Sequence, residues 1–139
     1  SPEVLNAINR ALMVMSGMQD ETGGFMSFGE KNCESSVQMI VALCSLGISV
    51  DDPRFVKNGN TLLDSVKDFY IPGGGFSHLG DNQVNIMTTE QVFYAMTAIE
   101  RFENGKTALY DMSDLKPKMM FFKHKYILPA FKELVAKGI

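Results

Sequence analysis

The sequence predicts an all-α fold, two helix-turn-helix Gly-Gly-Phe repeats followed by a C-terminal helical tail, and three observations predict it. A turn motif is written twice, Gly23-Gly24-Phe25 falling on Gly74-Gly75-Phe76 at an offset of 51. Its surroundings repeat with it: Ala11, Leu12, Met15 and Met18 fall on Leu62, Leu63, Val66 and Phe69 at 51, and Gln38 to Leu43 fall on Gln91 to Met96 at 53. Around both turns the apolar residues recur every three or four positions, the period of a helix face. Glycine or proline stands where most of these segments end. The two units span about residues 4–47 and 53–104 of a region 1–114, and residues 115–139 form the tail.

Ser1 is a suitable N-cap and Pro2 suits a first helical turn, so a first helix runs to about Met18 with Leu5, Ile8, Leu12 and Met15 on one face. Gly23-Gly24 breaks it and turns Phe25 inward. A second helix, Glu34 to Leu46, has Asn32 or the Ser35-Ser36 pair near its start and stops at Gly47; Val37, Met39, Ile40, Val41, Leu43 and Cys44 leave it almost no polar face, which predicts burial on most sides. Asp51-Asp52-Pro53 opens a third, half-exposed helix reaching Phe69, interrupted by the polar run Lys57 to Asn60 and ended by Pro72 and the glycines. A fourth starts between Ile86 and Thr89, stops before Asn104-Gly105 and is apolar most of the way around, like the second. Lys106 to Asp114 reads as a loop with Leu109 and Tyr110 packing back, and the tail carries helices at about 116–126 and from Pro129 to Gly138.

A chain of 139 residues, 45% hydrophobic and 21% charged, is long enough for one domain with a real core and is not disordered in composition. With a net charge of −3 and no arginine stripe, nucleic acid is not an expected partner. The charge is uneven: six Lys and one Glu give residues 115–139 a charge of +5, leaving −8 for the rest. A solvated helix face explains that run, docking on the acidic body is a second reading, and contact with an anionic membrane surface is a third and weaker one. Cys33 and Cys44 lie on one expected helix, about 16 Å apart at about 1.5 Å rise per residue, too far for a disulfide. They read as free thiols. No secretory leader, long apolar span or Asn-X-Ser/Thr sequon is present, and Ser1-Pro2 reads as a domain boundary.

The motif Gln19-Asp20-Glu21-Thr22-Gly23-Gly24-Phe25, its copy Gly74-Gly75-Phe76 and the helix starts Glu34-Ser35-Ser36-Val37-Gln38 and Thr88-Thr89-Glu90-Gln91 resemble the prenyltransferase and squalene oxidase repeat of the terpenoid cyclase and protein prenyltransferase superfamily. The resemblance covers about residues 4–114. It implies paired inner and outer helices of an α/α toroid, here partial because two units cannot close a ring. Phe102 to Asp114 is similar to the ending of such domains in large bacterial surface proteins, which implies an extracellular or cell-surface location in a bacterium.

The chemistry of that superfamily is incomplete in this chain. Ser49-Val50-Asp51-Asp52 lacks the first Asp of a cyclase Asp-X-Asp-Asp acid and reads as a helix cap. Glu34 and Ser36 stand where the prenyltransferases carry a zinc-binding Asp and Cys, so the thiolate is missing. A zinc site of Cys33, Glu34 and His78 has acceptable ligand types; its plain alternative is Glu34 in a first helical turn, where the dipole favours a carboxylate. No Gly-X-Ser-X-Gly, P-loop or paired-His helix motif occurs. Phe25, Phe76, Phe93 and Tyr94 either line a hydrophobic funnel or pack a core, and the ten Met residues either fill gaps or make an adaptable surface.

The candidate ligand-binding residues are therefore Phe25, Glu34, Gln38, Phe76, His78, Gln91, Phe93 and Tyr94. No catalytic set and no cofactor are expected, zinc being the exception to test. The expected role is a noncatalytic binding or structural module of a larger bacterial protein. Its partner is a hydrophobic small molecule, a protein, a second copy or neighbouring repeats. The alternative is an isoprenoid-handling enzyme whose missing residues lie on other repeats.

Overall fold

The computed structural model describes residues 1–111 and 113–115. The expected tail helices lie outside the described residues. Four α-helices carry the fold: α1 Pro2–Met18, α2 Cys33–Ser45, α3 Leu62–Lys67 and α4 Ile86–Glu103. Two hairpins of two-residue strands accompany them, β1 Met26–Ser27 with β2 Glu30–Lys31 and β3 Tyr70–Ile71 with β4 Gly75–Phe76. The sequence reads these residues as turns and loops, and the structure pairs them as hairpins.

The two Gly-Gly turns share one backbone scheme. Gly23 N–H donates to the Asp20 carbonyl at 3.1 Å, and Gly74 N–H donates to that of Ile71 at 3.0 Å. Asp20 pairs with Gly24, and Ile71 with Gly75. Glycine is required at this spot: a Cβ on Gly24 would stand 2.4 Å from Ser65 Oγ, and one on Gly75 2.6 Å from Thr89 Oγ1. The starts of α2 and α4 match too. Asn32 accepts from Ser35 N–H and Asn85 from Thr88 N–H, each side chain satisfying one orphan donor of a first turn.

Gln19, buried where α1 ends, fastens three segments. Its Nε2 donates to the carbonyls of Gly23 and Phe55, each at 2.9 Å. The core gathers Leu12, Phe25, Val37, Ile40, Leu43, Phe55, Leu62, Val66, Val92 and Ala95 around α2, which packs on α3 and α4. Ser36 and Ser65, both buried, bridge α2 to α3 at 3.2 Å.

Five expectations need correction. The third helix is two pieces, a 3-10 turn Pro53–Phe55 and α3, because Asn58 and Gly59 take left-handed backbone and Lys57 pairs with Asn60 across that turn. Thr61 then starts α3 with its own capping box with Asp64. Helix α2 begins at Cys33, one residue earlier than expected, since Asn32 is the cap. Helix α4 is bare on one side, with Phe93 and Tyr94 exposed, and of the first helix's apolar face only Leu12 is buried. Tyr110 does not pack back; it is exposed, while Leu109 touches the core. Arginine fixes that loop instead: buried Arg101 donates to the Thr107 carbonyl at 2.9 Å and meets Asp114 at 2.6 Å.

Candidate functional site

The N-terminus of α2 organises the site. With Asn32 capping it, Glu34 falls in the first turn, where the helix dipole favours a carboxylate. Both of its oxygens are used. Oε2 meets Nδ1 of His78 at 2.8 Å, and Oε1 accepts from Thr88 Oγ1 at the start of α4. The His78 carbonyl also accepts from Cys33 N–H at 3.2 Å, so the segment after β4 is held to α2 by side chain and backbone together. One turn along, Gln38 Nε2 donates to Gln91 Oε1 at 2.9 Å.

Beside this seam lies an open groove of about 460 Å³, walled by Met15 and Met18 of α1, Phe25, Met26, and Asn32, Glu34, Ser35 and Gln38. Apolar thioethers and one aromatic ring face a rim of carboxylate, hydroxyl and amide groups. Such a surface suits an apolar body with a polar end.

The candidate residues thus divide. Phe25, Glu34 and Gln38 line the groove, and His78 and Gln91 join it through Glu34 and Gln38. Phe76 stands apart, half-buried against Tyr70 with ring centroids 5.4 Å apart and its N–H donated to Thr89 Oγ1. Phe93 and Tyr94 are exposed on α4 and line no funnel with Phe25. Asn32 and Thr88 read in the sequence as helix starts and not as members of the site, although the offset of 53, which lays Asn32 on Asn85 and Ser35 on Thr88, carries that signal; Met26 has no such signal.

Cys33, Glu34 and His78 do not gather into a metal site among the described residues. Cys33 is wholly buried, and that burial, with Glu34 beside it, pushes its thiol up to about 12. Glu34 is engaged by His78 and Thr88, and among the described residues no three His, Cys, Asp or Glu side chains stand close enough to hold a metal. Among the described residues no helix is long and apolar enough to cross a membrane.

Compared with protein-family models, curated proteins and solved structures, the chain finds no match in any of the three.

Proposed function

We propose that this chain is a noncatalytic binding or structural module of the α/α-toroid kind, part of a larger bacterial surface protein, whose groove takes a hydrophobic small molecule or an apolar segment of a protein partner. One observation carries the reading. Glu34, the group best placed for acid–base or metal chemistry, is spent on holding His78 and Thr88 together. A carboxylate with both oxygens committed to joining two helix starts is a fastener. The methionine-lined groove next to it stays open to a ligand. The repeat reading draws its support from the matched turns at Gly23 and Gly74 and the matched caps at Asn32 and Asn85.

Methionine methyl resonances test the function. Titration with farnesol is expected to shift Met15, Met18 and Met26 and to leave Met39, buried on α2, unmoved. Zinc and farnesyl diphosphate added together are expected to give neither stoichiometric metal nor turnover. Bound zinc with consumption of the diphosphate would replace this reading by an isoprenoid-handling enzyme.

A further inference from the structure

Helices α2 and α4 are related by a shift of 53 residues, yet their surroundings differ in a regular way. Ile40 and Val41 of α2 are 0% and 5% exposed, wrapped by α3 and α4, whereas Phe93 and Tyr94 at the shifted positions are 66% and 45% exposed. Cys33 is buried and its counterpart Ile86 is 83% exposed. The opposite side shows the converse. Ala42 and Leu46 of α2 are exposed, while Ala95 is buried and Ile99 half-buried on α4. Among the described residues, α4 therefore has no neighbour where α2 has α3 and α4. Where α4 has α2, α2 has the groove instead, walled by Met15 and Met18 of α1 together with Ser35 and Gln38, the counterparts of Thr88 and Gln91.

We propose that the bare face of α4 docks, head to tail, on the open side of α2 and the groove of a second copy of this chain, continuing between chains the contact that α2 makes with α4 within one. In this arrangement Met87 and Tyr94 of one copy meet Gln38 and Ala42 of the next. Phe93 and Ile86 meet the next copy's α1 along Met15 and Met18, in the place that α3 takes against Ile40. Two features support the partner's identity. The intrachain seam, with its Gln38 to Gln91 hydrogen bond, is a ready template for the same seam between copies. The α4 end of the helix row is also apolar, with Ile86, Met87, Phe93 and Tyr94 exposed, whereas a terminal repeat that ends a stack carries a polar outer face. The two docking faces are different surfaces, so the contact is heterologous and either closes into a ring or runs on.

The inference rests on the module reading and can fail without it: a chain that remains a monomer yet shows the farnesol shifts keeps the groove and loses the docking. The test uses the full chain in two variants at exposed positions. One, Phe93→Glu with Tyr94→Glu, spoils the α4 face; the other, Met18→Glu with Ala42→Glu, spoils the groove side. Sedimentation of the wild type is expected to show concentration-dependent association. Each variant alone is expected to be monomeric, and an equal mixture to form a dimer with one copy of each, because one intact face of each kind remains. Unchanged circular dichroism checks that both variants fold. A wild-type monomer at up to about 1 mM, the weak end of specific association, overturns the proposal and leaves the α4 face to the chain's own C-terminal segment. A mixture that stays monomeric, or a wild-type dimer that only one variant dissociates, overturns the head-to-tail geometry.

Discussion

Gln38 and Gln91, 53 residues apart in the chain, meet amide to amide, the Nε2 of the first donating to the Oε1 of the second at 2.9 Å. They occupy the same place on α2 and α4. Because the pair is accessible to water, its net worth is modest, about 0.5–1 kcal/mol. Gln38→Ala and Gln91→Ala are each expected to cost that much, and the double variant no more than the larger single. Additive losses in a double-mutant cycle read by urea unfolding would show that the two amides do not act as a pair.

The turn glycines should tolerate even a methyl group poorly. In Gly24→Ala the new Cβ lands 2.4 Å from Ser65 Oγ, and Ser65 is itself buried against Ser36. Overpacking of this kind costs about 1–3 kcal/mol. Gly75→Ala adds a backbone cost, since Gly75 has φ +147 and its Cβ would stand 2.6 Å from Thr89 Oγ1. Gly29→Ala is a fair control for left-handed backbone alone, with φ +86 and open space around it. Thermal melts should rank Gly75→Ala and Gly24→Ala below Gly29→Ala; equal losses at all three would remove the close-approach argument.

Both cysteines are buried and free. Burial raises the thiol of Cys33 to about 12 and raises that of Cys44 as well, with Glu103 adding to the second. Since the thiolate is the reactive form, both should resist Ellman's reagent in the native protein at pH 8 and react at once in guanidinium. Rapid native labelling of Cys33 would mean that the start of α2 opens, and would weaken the case against a metal there.

Much of this fold was legible because its strongest signals are local. Pro2, Gly47 and Asn104-Gly105 punctuate helices through their own backbone chemistry, and α1, α2 and α4 fall within a residue or two of where periodicity placed them. The third helix was misread because periodicity cannot see that Asn58-Gly59 prefers a tight left-handed turn to a helical interior. Phe93 and Tyr94 were misassigned for another reason. Periodicity cannot tell an apolar helix covered on every side from one left bare on one side, and only packing shows that no described residue covers Phe93 and Tyr94 of α4. In the site, Glu34, Gln38 and Gln91 were readable from the repeat. The partnership of Glu34 with His78 was not, because it joins residues 44 apart through a loop with no pattern.

Acid should loosen the fold through four aspartates. Hydrogen bonds from Thr22 and Gly24 outweigh burial at Asp20 and hold its carboxyl below the usual range. Asp52 is lowered chiefly by the Arg54 side chain, Asp64 by Lys67 and then Thr61, and Asp114 by Thr107 together with Arg101. A carboxylate whose folded pKa is depressed contributes stability that is fully present above its unfolded value, about 3.9, and is lost as pH falls through the folded value. The melting temperature is therefore expected to hold from neutrality down to about pH 5 and to drop increasingly below about pH 4. Asp64 has the largest depression and closes the capping box of α3 with Thr61, so Asp64→Asn should lower stability at pH 7 and flatten the acid slope. A variant that melts earlier at neutral pH but keeps the full wild-type slope would show that the acid sensitivity arises elsewhere.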